Sequence, residues 1–373
     1  MQLNRNLQDL RLSGIRRYTA LAQARGDCVK LTLGEPEFDT PAPIRAACKA
    51  ALDQGLTHYT ENQGDLRLRE AIAAFERDRR GLRYTADQVL ITAGATEAVY
   101  TALTGVLNPG DEVVIPVPAF GLYETVTRMA GAVPVPVDTG PFGFQLPQKA
   151  LRAALSPRTK VLILNSPNNP TGAVYTPETL AGIYATVKDL PVYILCDDVY
   201  WGLGPCPGFV QYQDLQDRLL AVQSFSKPYA MTGWRVGYLL GDRALIQTLT
   251  ALHGHVLTCA PAMLQAACLA ALAYDPGEMV RAYEARRAFL CQRLAEMSLP
   301  FVPPAGAFYA FPSIAGYGLD AETFCTRMIQ EAGVAAVPGT CFGAEGYVRL
   351  SYCCSMAELA LGLDRMEAFL GSL

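Results

Sequence analysis

Residues 160–172 read KVLILNSPNNPTG. Four apolar positions, Val161–Leu164, break off at Asn165 into a turn built of Asn, Pro and Gly. A short, uninterrupted, β-branched and aliphatic run ended by turn residues marks a strand buried on both faces. Runs of the same kind recur on either side. Together the candidates are Val89–Thr92, Glu112–Val117, Ala132–Val137, Lys160–Asn165, Val192–Asp197, Leu219–Ser224 and Val236–Leu240. Helical patterns separate several of them, at Ala95–Leu107, Leu122–Gly131 and Pro177–Leu190. Strands alternating with helices predict an α/β fold, with a mostly parallel seven-stranded sheet between helices.

Beyond residue 258 the pattern changes. A long charged helix (Gly277–Met297) is expected, then a strand at Phe308–Pro312, a helix at Ala321–Ala332, a strand at Tyr347–Tyr352 and a last helix from Ser355. That order predicts a smaller α+β domain. The expected division is an N-terminal arm contributing to the small domain (1–40), a large domain (41–258) and a C-terminal small domain (259–373).

Composition narrows the function. In 373 residues, 51% are apolar and 18% charged, so a large core is available. Lys plus Arg number 31 against 35 Asp plus Glu, a net charge of −4. That balance lacks the basic excess of a nucleic-acid or anionic-membrane binder. No apolar run is long enough for a membrane helix, and the N-terminus lacks the apolar core of a secretory signal. Eleven cysteines with no C-x-x-C, and only three histidines, assemble neither a zinc site nor a disulfide framework. A cytoplasmic protein with reduced thiols and no metal is expected.

In open α/β sheets, ligands bind at the carboxyl ends of the strands. Strand Lys160–Asn165 leads to Asn169, Val192–Asp197 to Asp197, Asp198 and Tyr200, and Leu219–Ser224 to Ser224, Ser226 and Lys227, with Arg235 beyond. Val89–Thr92 runs into Gly94, Ala95 and Thr96, which open a helix. Singly, each has an ordinary reading: a turn, a solvated lysine, a helix cap, a surface ion pair. Collectively they place an amine, a carboxylate, a phenol, an amide, a guanidinium and a helix N-terminus at successive strand ends. That inventory suits pyridoxal 5′-phosphate, whose aldehyde needs a lysine, whose ring nitrogen needs an acid and whose phosphate needs a helix start and an arginine.

With these residues in view, the chain resembles the fold-type I pyridoxal-phosphate-dependent aminotransferases of class I/II, in the bacterial aspartate and aromatic subgroup. The resemblance runs from Ser13-Gly14-Ile15-Arg16 to Arg349-Leu350-Ser351-Tyr352. It includes the segment Leu33–Pro41, Asn168-Asn169-Pro170-Thr171-Gly172, Asp197-x-x-Tyr200, Ser224-Phe225-Ser226-Lys227 and Gly233-Trp234-Arg235-Val236-Gly237-Tyr238. It implies that Lys227 forms the internal aldimine and shuttles the proton, and that Asp197 pairs with the ring nitrogen. Tyr200 and Asn169 would bond the phenolate oxygen. Ala95, Thr96, Ser224, Ser226 and Arg235 would hold the phosphate, Phe120 would stack on the ring, and Tyr59 would reach the phosphate of a neighbouring subunit in a homodimer. Arg349, with a backbone contribution from Gly34, would grip the substrate α-carboxylate. Asp198 stands where the family more usually has Glu, outside direct contact with the cofactor.

The resemblance thus implies transfer of the amino group of an L-amino acid to a 2-oxo acid through pyridoxamine phosphate. The same cofactor supports other reactions, and a C–S β-lyase is the alternative. A non-catalytic regulator would carry an added DNA-binding module, which is not seen, and no dinucleotide or P-loop glycine motif is present. Arg16 and Arg17 are candidates for recognising a side-chain carboxylate, while Tyr18, Phe120 and Tyr123 leave room for aromatic or aliphatic donors.

Overall fold

The computed structural model describes Asn6 and residues 14–373, so Ser13 of the N-terminal motif lies outside the described residues. Among the described residues twelve strands follow one another: β1 (Val29–Lys30), β2 (Val89–Thr92), β3 (Glu112–Val117), β4 (Val133–Asp138), β5 (Thr159–Asn165), β6 (Tyr193–Asp197), β7 (Leu219–Ser224), β8 (Gly237–Leu240), β9 (Tyr309–Ala310), β10 (Val334–Ala335), β11 (Val337–Pro338) and β12 (Val348–Ser351). Seven of them form the central sheet in the order β2-β8-β7-β6-β5-β3-β4. All pair in parallel except β8, which runs antiparallel to both its neighbours.

The strands are apolar throughout because both faces are covered. Along β5, Val161 and Ile163 pack into one core while Leu162 and Leu164 pack into the other, the two-residue alternation of a pleated strand. Register then aligns the polar ends. Asn165 lies opposite Asp197 and Asp197 opposite Val222, while Ser224 and Thr92 both face Gly237. Because β8 is reversed, its start, just after Arg235, falls at the same edge of the sheet as the carboxyl ends of the others.

A second, three-stranded antiparallel sheet, β11-β12-β9, sets Arg349 opposite Val337 and Ser351 opposite Tyr309. The N-terminal segment joins this part of the molecule. β1 pairs in parallel with β10, and Leu31 bonds through its backbone to both Ala335 and Ser351. Helix Ala262–Ala273 packs on Ala42–Asp53, and its Ala267, Cys268 and Ala271 belong to a core shared with the central sheet. Large-unit packing therefore runs past residue 258.

Several elements are shorter than the sequence predicts, and two of them show a local cause. The expected strand Phe308–Pro312 reduces to Tyr309–Ala310, since Pro312 has no N–H to give a ladder. The expected helix Ala321–Ala332 is α-helical to Arg327, then widens into a π turn over Met328–Ala332 that Gly333 closes at φ 66°.

Candidate active site

A cavity of about 670 Å³ opens where the carboxyl ends of β5, β6 and β7 meet β12 and the segment 33–35. Its wall includes Gly34, Ala95, Thr96, Phe120, Asn169, Asp197, Tyr200, Ser224, Ser226, Lys227, Arg235 and Arg349. The sequence-derived set is therefore brought together, with two exceptions. Gly94 stands just behind the wall as the N-cap of helix Ala95–Val106. Tyr59 is 84% exposed and does not line this cavity.

Lys227 follows β7, and its Nζ donates to the Gly34 carbonyl oxygen at 2.5 Å. Burial pulls its ammonium down to about 8, with Arg349 and Arg235 acting in the same direction. Its proton is thus given up much nearer physiological pH than an ordinary lysine's. Gly34 presents a carbonyl here rather than its N–H. A side chain at that position would collide with the Tyr309 hydroxyl, 1.7 Å from an added Cβ.

Asp197 ends β6 and is 5% exposed. One carboxylate oxygen accepts the Tyr123 hydroxyl at 2.6 Å, and the other accepts the Val199 N–H at 3.3 Å. Burial pushes its pKa up to about 6, against these two hydrogen bonds. Tyr123 lines the cavity, as the expectation of an aromatic wall has it, with its hydroxyl committed to Asp197 and its ring meeting Phe120 edge to face at 6.1 Å. Phe120 itself forms part of the cavity wall.

Across the cavity, Arg349 is 1% exposed. It donates to Asn169 Oδ1 at 2.8 Å and to the Thr32 carbonyl. Its Nε is buried without a partner, and among the described residues no carboxylate pairs with it. The guanidinium lies 4.5 Å from the Tyr309 ring centroid and 4.8 Å from that of Phe342. Two aromatic faces and two neutral acceptors hold the cation, and its charge is left for something else. Asn169 is fixed by Asn165, whose Oδ1 accepts the Asn169 N–H at 2.9 Å. Tyr200 shares a hydrogen bond with the Tyr309 hydroxyl at 2.9 Å.

At the third corner, Arg235 takes a left-handed backbone, φ 55°, and donates to the Thr232 carbonyl. Gly94, at φ 79°, lets it approach: a Cβ there would stand 2.5 Å from Arg235 Nη2. The first N–H groups of helix Ala95–Val106 lack intrahelical acceptors, as at any helix start. Beside them the Ser226 hydroxyl is buried and unpartnered. Ser224 is committed to the chain itself, donating to Val236 O and accepting the Ser226 N–H. A helix start, a guanidinium and an orphan hydroxyl together form an anion cradle. With an amine and a buried carboxylate alongside, these residues fit pyridoxal 5′-phosphate.

The two adjacent arginines separate. Arg16 is exposed but lines the cavity, whereas Arg17 pairs with Glu322 at 3.2 Å on the surface. Tyr18 sits in the core at 1% exposure and does not reach the cavity, so the expectation that it shapes the substrate pocket fails. Asp198 points away from the cavity and pairs with Arg80. The sequence reading missed Tyr309. Its place depends on the register of β9 with β12, and a two-residue strand leaves no periodic signal.

Comparison with known proteins agrees with this geometry. The family model for aminotransferase class I and II matches residues 26–366. A protein of Bacillus subtilis (strain 168) named "Probable N-acetyl-LL-diaminopimelate aminotransferase" is 38% identical over 374 residues, covering 98% of this chain and 95% of that protein. Aromatic-amino-acid aminotransferase 2 of Thermococcus litoralis is 39% identical, covering 99% and 98%. The solved structure of the Thermus thermophilus aspartate aminotransferase with maleate superposes with a TM-score of 0.94 at 36% identity, covering 99% of both chains. With the family model matching residues 26–366 and relatives covering 98% or more of its length, this chain belongs to the class I and II aminotransferases, pyridoxal-phosphate-dependent enzymes.

Proposed function

We propose that the donor is an L-amino acid of the acidic or aromatic kind, held by its α-carboxylate on Arg349, and that a 2-oxo acid accepts the amino group. The observation that carries this reading is the buried Arg349 guanidinium with no carboxylate of its own. A planar fork facing a cavity is suited to grip a carboxylate through two parallel bonds. The names of the relatives compared favour transamination over the C–S β-lyase alternative.

When bound, pyridoxal phosphate supplies the electron sink that acidifies the donor's Cα–H. The chain's residues do the rest. Lys227 takes and returns the proton at Cα, for which an amine with its pKa near the working pH is suited. Asp197 holds the ring nitrogen protonated, and Tyr123 fixes the Asp197 carboxylate by its 2.6 Å bond. Tyr200 and Asn169 donate to the ring oxygen. Arg235, Ser226 and the N–H groups of Ala95 and Thr96 anchor the phosphate, with Ser224 shaping the turn, and Phe120 covers the ring.

Arg16 supports a donor with a second carboxylate, being a fourth cation of the wall with no partner among the described residues. The aromatic alternative is supported by the apolar wall of Ile15, Leu33, Val99 and Leu122. A single half-reaction separates the two: the purified, cofactor-loaded protein receives each L-amino acid without acceptor, and loss of the cofactor's visible absorbance is timed. Fast conversion by aspartate or glutamate, lost in Arg16→Met, supports the first. Conversion by phenylalanine or tyrosine alone supports the second, and ammonia release without acceptor would point to the lyase.

A cytoplasmic homodimer completes the proposal. Tyr59, Leu66, Val256 and Leu257 are large apolar groups 84%, 47%, 52% and 37% exposed. They flank the contact of residues 60–65 with Gly254 and Gln265, a face suited to a second copy carrying Tyr59 to the neighbouring cavity. All eleven cysteines are free thiols, which suits a reducing compartment. No helix among the described residues is long and apolar enough to cross a membrane. Residues 1–40 would move with the C-terminal unit, which we start at helix Gly277–Glu296 rather than at 259. Sedimentation should give about twice the 40.3 kDa chain mass.

A further inference from the structure

A second cavity, of about 330 Å³, lies behind the end of β7 and is lined by Phe75, Trp201, Tyr229 and Tyr238 among others. Gln223, Ser224 and Phe225 border it, and Ser224 also borders the cofactor cavity. The strand end that leads to Lys227 therefore has open space on both sides, and close packing alone does not brace it.

The bracing is ionic. Asp197 is the last residue of β6 and Asp198 the next, and their side chains leave in opposite directions, as successive residues of extended chain do. Asp197 enters the cofactor cavity; the Asp198 carboxylate accepts from Arg80. Arg80 also donates to Glu76 at 3.1 Å, and Glu76 accepts the Tyr238 hydroxyl at 2.6 Å. The three charged side chains are only 3%, 0% and 4% exposed for Arg80, Glu76 and Asp198. The Arg80 guanidinium lies 5.0 Å from the Trp201 ring centroid, and the Trp201 backbone N–H donates to the Asp198 carbonyl at 2.8 Å. One cluster thus ties together the end of helix Leu66–Arg80, the turn Asp197–Trp201 and strand β8, which follows Arg235.

Burying such a triad does not stabilise a fold by itself, because desolvation offsets the attraction and apolar replacements are often as stable or more so. What it supplies is a fixed arrangement. We propose that Glu76, Arg80 and Asp198 are positioning residues that hold the Asp197–Tyr200 turn, and with it the Asp197 carboxylate, in place against the cofactor ring. This rests on the reading of Asp197 as the ring's partner.

The test uses the triple variant Glu76→Leu/Arg80→Met/Asp198→Asn, which removes the charges together and leaves none buried alone. It is compared with wild type and Asp197→Ala. Each protein is titrated with pyridoxal phosphate by quenching of tryptophan fluorescence, and the visible circular dichroism of the bound cofactor reports how firmly the ring is oriented. Melting is recorded without cofactor. The triple variant should melt near or above wild type yet bind the cofactor roughly tenfold more weakly, as changes behind a ligand-holding group do, with diminished visible dichroism. Unchanged affinity and dichroism overturn the proposal. Should the triple variant show no cooperative melt, Asp198→Asn, which keeps an acceptor for Arg80, is judged by the same two readouts. If Asp197→Ala binds the cofactor as wild type does, the reading of Asp197 fails. Weakening by Asp197→Ala but not by the triad variants sinks the triad alone.

Discussion

Two arginines in this molecule are almost equally buried and have opposite surroundings. Arg80 lies between two carboxylates, Glu76 and Asp198, which together outnumber its charge. Arg349 has only an amide oxygen, a backbone carbonyl and two aromatic faces, with one N–H unanswered. A buried cation is costly unless paired. The first is paired within the chain. The second is held open at a cavity wall, and on the proposed function its missing partner would be the substrate's carboxylate. The contrast separates, on geometry alone, a charge answered within the chain from one left facing a cavity.

The largest effect tests whether the cavity is the seat of the chemistry at all. Lys227→Ala should abolish measurable transamination while leaving the fold intact; turnover comparable to wild type would remove the functional meaning of Arg349's vacancy. Next comes the contrast itself. Arg349→Met should lower kcat/KM for every donor by roughly 10²–10³-fold, since the substrate carboxylate is left unpaired, with the melting temperature unchanged or raised. Arg80→Met should do the reverse for stability, losing about 3–5 kcal/mol because two buried carboxylates lose their cation. Equal destabilisation by both substitutions would erase the distinction. A smaller effect sharpens it: an unreactive dicarboxylate such as maleate should raise the melting temperature of wild type and of Arg80→Lys, but not of Arg349→Met. A rise in Arg349→Met would place the carboxylate elsewhere.

The sequence makes one side of this contrast readable and leaves the other dark. Lys227, Asp197, Asn169 and Ser224 can be found because strands announce themselves by apolar runs, and the sheet brings their ends to one edge. Arg349 rests on motif resemblance, since its strand is four residues long and its partners Asn169 and Thr32 are 180 and 317 positions away. The Arg80 triad leaves no trace in the sequence: Arg80 is one of several charges ending helix Leu66–Arg80. Tyr123 shows the same limit. Periodicity says that it is on a buried helix face, but only the tertiary packing of that helix, on β3 and β4, brings its hydroxyl to Asp197, 74 residues away.

The smallest effect concerns Asp197, the negative counterpart of Arg349 in the same cavity. Its pKa, pushed up to about 6 by burial, lies above the ordinary 3.8. The folded chain therefore binds a proton more tightly than the unfolded chain. That contribution to stability is complete below about pH 4 and is lost as the pH rises through 6. At pH 7 without cofactor, the ionised carboxylate opposes folding, and Asp197→Asn should be more stable than wild type by on the order of 1–3 kcal/mol. The advantage should vanish toward pH 4, where both side chains are neutral. With cofactor bound the order should invert at pH 7, because the protonated ring nitrogen supplies the missing positive charge. Urea unfolding of the two proteins at pH 4, 5.5 and 7, each with and without pyridoxal phosphate, reads this directly. A stability difference that is flat in pH would mean that the Asp197 carboxylate is already satisfied within the chain, unlike the Arg349 guanidinium.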